Sequence, residues 1–267
     1  MTHRSHSGSD LLTSPANPAI TRIRSLQQRK FRLRERAFVV EGARAVQDVL
    51  DAGIEPDTIV LREQTDFDVP DGLFPAIRRV SASVFADLTE VAHPQGVLAV
   101  VPMLEEPPLP DVATNPLVVF LDGVRDPGNM GTLFRSAAGA GVNHLVIGPD
   151  SVDPYHPKAV RAAMGSHLRI PFSHVEFEEF QDYSRDFPVI ALADAGGNAL
   201  YDSVNWHLAS VMIVGGEAFG PTSASREMAN VIVSIPLANG VESLNAGVAG
   251  SLLMFEAARQ RKHSLAT

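Results

Sequence analysis

Five near-continuous apolar runs mark the second half of this chain: Leu117–Leu121, His144–Gly148, Val189–Ala193, Val211–Gly215 and Val231–Ile235. None shows the strict polar–apolar alternation of a strand with one wet face, so each predicts a strand covered on both sides. Helical stretches separate them, over Leu133–Ala140 and Lys158–Met164. Strand and helix in alternation imply an α/β fold with a mainly parallel sheet, because parallel neighbours need long crossovers and the crossover helices then cover the faces. Ligands of such sheets bind beyond the carboxyl ends of the strands, so the loops after these runs carry the most weight.

The 267 residues allow a second domain upstream. Residues 1–18 are rich in Ser, Asn and Pro and predict a disordered tail. Residues 19–36 predict a basic helix. Phe38–Val40, Thr58–Leu61 and Val97–Val101 predict strands, and Ala43–Ala52 a helix closed by Gly53. Ser83 is the expected N-cap of a helix running to Val91. Residues 19–102 thus form a small α/β unit. Pro102, Pro107, Pro108, Pro110 and Pro116 rule out a helix or inner strand there, and predict a stiff linker over 103–115 before a sheet domain at 116–263.

The net charge of -9 weighs mildly against nucleic acid, but its distribution reverses that. Arg22, Arg24, Arg29, Lys30, Arg32, Arg34 and Arg36 crowd one segment with Glu35 as the sole acid. Such a patch binds phosphate through counterion release even on an acidic protein; a solvated charged helix would read the same way. The absence of cysteine excludes disulfides, thiol nucleophiles and Cys-based zinc sites. No apolar run approaches the ~18–20 residues that span a bilayer. The polar N-terminus lacks a signal peptide's apolar segment, and a cytoplasmic protein is expected. His156, His167 and His174 lack ligand spacing, and no metal is expected.

Three loops carry chemistry. The first, Asp122-Gly123-Val124-Arg125-Asp126-Pro127-Gly128-Asn129-Met130-Gly131, lets the backbone approach closely at its glycines. Asn129 is placed to cap a helix, and Arg135 follows two turns along on a similar face, where it could grip a phosphate bidentately. A capped helix with a surface arginine fits the same residues. The second loop, Gly215-Gly216-Glu217-Ala218-Phe219-Gly220-Pro221, reads as a ligand cradle or as a plain glycine turn before a proline-led helix. Glu217 is a carboxylate at an apolar strand's end, which costs free energy unless paired. The dinucleotide fingerprint is absent, which argues against an oxidoreductase on an ordinary doubly wound sheet. In the third loop, Glu242-Ser243-Leu244-Asn245 opens a helix rich in Ala and Gly (Ala246, Gly247, Ala249, Gly250) that suits close packing.

In order and spacing these loops resemble the three motifs of the SpoU/TrmH branch of the SPOUT RNA methyltransferases: Asp126–Gly131 with Arg135, Val214–Gly220, and Ile235-Pro236 with Glu242–Ala249. Lys30-Phe31-Arg32 with Phe38–Gly42 is similar to the family's appended ribosomal-protein-like RNA-binding domain. The resemblance implies a deep trefoil knot in the sheet domain and a homodimer with the site at its interface. It also implies S-adenosylmethionine as cofactor and methylation of an RNA ribose 2′-hydroxyl. The backbone around Gly215, Gly216, Gly220, Ile235 and Leu244 would hold the cofactor. Asn129, Arg135, Glu217, Ser243 and Asn245 would form the reacting centre, and Arg29, Lys30, Arg32 and Arg135 would contact RNA. Arginine offers donors and no acceptor, so Arg135 is expected to bind the phosphate beside the target ribose rather than act as a free base. The folded N-terminal module favours rRNA, the 23S molecule first, over tRNA. A non-catalytic RNA-binding or ribosome-assembly protein is the remaining alternative.

Overall fold

The structure, a computed structural model, describes residues 11–70, 72–73, 75–216 and 220–263, and the chain divides into two compact units. The first comprises residues through Leu104 with Tyr155–Pro157. It opens with two helices, α1 (Pro18–Ser25) and α2 (Arg29–Glu35), where one basic helix was expected. The break has a local cause. Gln28 is extended, and Arg32 turns its guanidinium back to donate to the carbonyls of Leu26 and Gln27 at 2.8 Å each. Those carbonyls lie just beyond the end of α1, where the helix leaves acceptors without intrahelical partners. Arg32 is only 1 % exposed, which corrects the expectation that it contacts RNA: its charge is spent inside the fold.

The unit continues with β1 (Ala37–Glu41), α3 (Ala43–Asp51), β2 (Thr58–Arg62), β3 (Ala76–Val80), α4 (Ala82–Ala86) and β4 (Val97–Pro102). The sheet order is β1-β4-β2-β3, with only β2 and β3 parallel. Strand β3 escaped the sequence reading because Arg78 and Arg79 interrupt its apolar pattern, as an edge strand permits. Helix α4 is capped by Ser81, whose Oγ accepts the Val84 N–H, and ends at Ala86; Ser83 is not the cap. The expected tail at 1–18 is only in part testable, since residues 1–10 lie outside the described residues. Leu12 bridges Val80 and exchanges backbone hydrogen bonds with Arg79 and Ser81, so this segment extends the sheet edge instead of hanging loose. Ile20, Ile23, Leu26, Val60, Phe85, Leu98 and Val100 form the core.

The second unit comprises Glu105–Pro154 and the chain from Lys158 onward. Its elements are β5 (Leu117–Asp122), α5 (Pro127–Ala140), β6 (His144–Ile147), α6 (Pro157–Ala163), β7 (Phe172–His174), α7 (Phe177–Ser184), β8 (Val189–Ala193), β9 (Ala199–Leu200), β10 (Ser210–Gly215), α8 (Ser223–Met228), β11 (Val231–Ser234) and α9 (Ala246–His263). The sheet runs β7-β6-β5-β10-β8-β11-β9 and every neighbouring pair is parallel. Strands β5 and β10 are buried along their whole length, as their unbroken apolar runs require. The proline-rich stretch expected as a stiff linker packs on the sheet along part of its length. Leu109 and Val112 pack on the sheet core, Tyr183 Oη donates to the Pro110 carbonyl, and His174 pairs with Glu106.

Helix α9 lies along α5, and its small residues set the distance. A Cβ on Gly250 would sit 2.6 Å from Leu133 Cδ2, and the Ser136 and Ser251 hydroxyls meet at 2.6 Å. Near its C-terminal end, Arg261 donates to the carbonyls of Trp206, Asn115 and Leu208 at 2.8, 2.9 and 2.7 Å, tying the helix to the segments that lead into β5 and β10.

Two buried histidines give this unit a pH dependence. His144 bonds Ser173, and His167 bonds the Pro154 carbonyl and stacks on Phe134. Burial pushes each imidazole down to about 4. The unfolded chain, at an ordinary ~6.5, then binds more protons between those values, so stability falls as pH drops from 6.5 to 4 and levels off below. The loss should approach about 3 kcal/mol for His167 and be smaller for His144, where solvent screens part of the effect. Urea midpoints measured across that range check this, and a His167→Gln variant should show a shallower decline; a flat profile would count against it.

Candidate active site

Beyond the carboxyl ends of β8, β10 and β11, three loops enclose one cavity of about 490 Å³. Its walls are Ala193 and Asp194 after β8, Gly215, Gly216 and Gly220 after β10, and Ile235, Ser243, Leu244 and Asn245 after β11, with Ala249 and Leu253 of α9 behind them. The glycines are required by contact. A Cβ on Gly215 would stand 2.4 Å from Pro221 N, and one on Gly216 2.1 Å from the Gly123 carbonyl oxygen. Backbone bonds fix the cradle: Gly216 N–H donates to Asp122 O at 2.9 Å and Gly220 N–H to Gly216 O at 3.1 Å. The buried Asp122 carboxylate accepts the Thr222 N–H at 2.7 Å and holds the returning chain.

The polar turn after β11 caps α9. Asn245 Oδ1 accepts the Val248 N–H at 3.2 Å and its carbonyl takes the Ala249 N–H. In the first loop the cap is Asp126 and not Asn129, because the Asp126 carboxylate accepts the Asn129 N–H at 2.9 Å. That bond, with Lys158 at 3.1 Å, holds the Asp126 carboxyl below its usual range. Asn129 is thereby placed in the first turn of α5, nearly buried. Its Oδ1 and that of Asn245 lie 3.1 and 3.2 Å from where a Cβ on Gly247 would sit, so the two amides converge on a gap that only glycine leaves.

The cavity therefore gathers Gly215, Gly216, Gly220, Ile235, Leu244, Ser243 and Asn245. Asn129 stands beside Asn245 without lining it. Arg135 is on the exposed side of α5, with Nη1 3.1 Å from Met164 Sδ. Glu217 lies outside the described residues. Asp194 was missed by the sequence reading. It is paired with Arg226 and accepts the Gly196 N–H, and its only sequence signal was its place at a strand's carboxyl end before Gly196-Gly197. A second cavity of about 420 Å³, lined among others by Asp122, Arg125, Asp150 and Glu178, shares Gly216 and Gly220 with the first.

A parallel α/β sheet with an apolar-walled cavity at its strand ends, rimmed by a few polar groups, is the arrangement in which such proteins bind small-molecule ligands. Residues 116–255 match the SpoU rRNA Methylase family, and residues 17–99 match the MRM3-like substrate binding domain. The 23S rRNA (guanosine(2553)-2′-O)-methyltransferase RlmP of Bacillus subtilis is 30 % identical over 247 residues, covering 91 % of this chain and 97 % of that protein. Mouse mitochondrial rRNA methyltransferase 3 is 27 % identical, with 88 % of this chain and 70 % of that protein covered. The AdoMet-bound rRNA methyltransferase of Sinorhizobium meliloti superposes with a TM-score of 0.82 at 29 % identity, over 93 % of this chain and 97 % of the other. The chain belongs to the SpoU rRNA methylase family.

Proposed function

We propose that this protein transfers the methyl group of S-adenosylmethionine to a ribose 2′-hydroxyl of ribosomal RNA, the 23S molecule first. The observation that carries the reading is the cavity itself: residues of the second and third motif-like segments, Gly215, Gly216 and Gly220 with Ile235, Ser243, Leu244 and Asn245, line it, and its size and apolar walls suit an adenosyl ligand. Gly215, Gly216, Gly220, Ile235 and Leu244 would hold that ligand, largely through backbone. When bound, it supplies an electrophilic methyl on a sulfonium.

The chain's own residues then do the positioning. Arg135 grips the phosphate beside the target ribose and aligns the 2′-hydroxyl, whose proton passes to a phosphate oxygen. Asn129 and Asn245 order the corner between α5 and α9, and Ser243 shapes the loop. Alignment of this kind can supply about 7–11 kcal/mol of the barrier reduction.

The exposed position of Arg135 supports a site completed by a second copy of the chain. Val248, Leu252 and Phe255 are 45, 41 and 51 % exposed on α9, a helical apolar stripe left open among the described residues. A homodimer through that stripe is expected. Phe255→Glu with Leu252→Glu should yield a monomer by light scattering that has lost most of its methyl transfer; an unchanged mass would refute the dimer. The likeness to family structures and the closure of three loops around one cavity support a trefoil knot through which α9 has passed. A crystallographic chain trace in which α9 stays outside those loops would exclude it. A cytoplasmic location remains the expectation for a protein of this composition acting on ribosomal RNA.

Mapping ribose methylation in cells with and without the gene tests the function directly. A site lost from 23S rRNA is the expected result; a site lost from tRNA would redirect the substrate. Calorimetry showing no S-adenosylmethionine binding would leave a non-catalytic RNA-binding protein.

A further inference from the structure

With Arg32 buried, the exposed face of α2 must be read again. Phe31 lies half-buried on that helix, and two cations sit over its ring: Lys30 Nζ and the Arg34 guanidinium carbon, each 4.7 Å from the centroid. Arg34 is also tethered at its edge, with Nη2 donating to Glu35 Oε1 at 3.0 Å. Glu35 is in turn anchored by Arg22, which donates to Glu35 Oε2 at 2.7 Å and to Asp57 Oδ2 at 2.9 Å. The chain Asp57–Arg22–Glu35–Arg34 fixes a guanidinium that is otherwise open to solvent, its side chain 65 % exposed. A long surface arginine normally keeps its rotamer freedom and contributes little when it pairs. Here one side of the group is already held by an aromatic ring and a carboxylate.

We propose that Arg34, held over Phe31, is a platform for an unpaired base of the RNA substrate, with Arg29 and Lys30 taking the flanking phosphates. This rests on the reading of RNA as the substrate, which it deepens. The chemistry favours an unpaired base over a duplex. A guanidinium tethered by a carboxylate and held over a ring keeps a planar surface open to solvent, and bases splayed from loops or single strands stack on arginine planes as they do on aromatics. In a duplex those faces are occupied by neighbouring bases, and only phosphates and groove edges remain. Lys30 next to the ring adds charge without a plane, and Arg29 precedes it on the same exposed turn.

The test uses the full-length protein and fluorescently labelled RNA in two forms, a single-stranded oligonucleotide and the matching duplex, at fixed salt. Arg34→Ala should weaken single-strand binding about 10-fold or more, within the range for losing one stacked base, and change duplex binding much less. Arg34→Lys keeps the charge and loses the plane, so it should fail nearly as badly. Phe31→Leu should reproduce the defect, and adding it to Arg34→Ala should cost little more. Binding of S-adenosylmethionine and the melting temperature should stay at wild-type values for the Arg34 variants, which separates the effect from misfolding. Full rescue by lysine, or an equal loss on duplex, would overturn the platform while leaving the methyltransferase reading intact. Wild-type protein that binds neither RNA would overturn both. Wild-type protein that binds RNA but transfers no methyl would sink only the enzymatic reading.

Discussion

Replacing Arg135 with alanine should reduce methyl transfer to RNA by about 1,000-fold, on the scale of removing a donor that stabilises charge at a reacting centre. It should leave S-adenosylmethionine affinity unchanged. The two halves of this expectation come from separate observations. Arg135 lies on α5 about two and a half turns beyond the Asp126 cap, on the helix that α9 packs against. It is not a lining residue of the cavity, so cofactor contacts do not depend on it. Its exposed guanidinium is a fork of donors suited to one phosphate. Arg135→Lys should recover only part of the activity, because a point charge cannot reproduce the bidentate grip. Single-turnover assays with saturating cofactor, run beside calorimetry, separate the terms. Near-normal turnover in Arg135→Ala would remove Arg135 from the reacting centre.

The second large effect should come from the cradle. Gly216→Ala places a methyl 2.1 Å from the Gly123 carbonyl oxygen and 2.9 Å from the Gly123 carbonyl carbon. Both obstacles are backbone, so no rotamer change relieves them, and the loops after β5 and β10 must part. Overpacking of this kind costs about 1–3 kcal/mol or more. It falls on a wall of the cavity, so cofactor binding should weaken by roughly 10-fold or more. Gly240→Ala, in the loop after β11 and off the cavity's lining, is the matched control. Nothing stands within 4 Å of its Cβ, and its φ of +74° imposes only the modest strain of a left-handed residue, about 1 kcal/mol. Calorimetry with each variant decides the matter: equal affinity in the two would show that the Gly123–Gly216 contact does not shape the site.

Much of the fold was legible because its signals are local. The apolar runs that became β5, β8 and β10 had no polar alternation, and a two-sided cover was the only state consistent with them. A helix was expected over Leu133–Ala140 with Asn129 as its cap, whereas α5 starts at Pro127 and its cap is Asp126. Both residues can cap a helix, and only the three-dimensional turn decides which carboxyl or amide meets the free N–H groups. Strand β3 and the split between α1 and α2 were missed for related reasons. An edge strand tolerates arginines that a pattern reading takes for loop. The break at Gln28 is stabilised by Arg32, whose burial no charge count would suggest, since a run of basic residues reads as uniformly exposed.

The candidate site divides along the same line. Sequence order alone determined that three glycine- and amide-bearing loops follow apolar strands, and hence that they lie at one end of a parallel sheet. It also determined the residue types available there: backbone donors, a hydroxyl and amides, with no thiol. Only the tertiary structure decided which of them share a cavity. Gly215, Leu244 and Asn245 meet around it because β10 and β11 flank β8, an order that chain position does not dictate. Arg135 faces away from it because the helix turns its side chain toward solvent, and Asp194 enters because its strand lies between the other two. Spacing along the chain fixes what each loop can offer. The sheet order, set by which buried faces pack together at least cost, fixes which loops become neighbours.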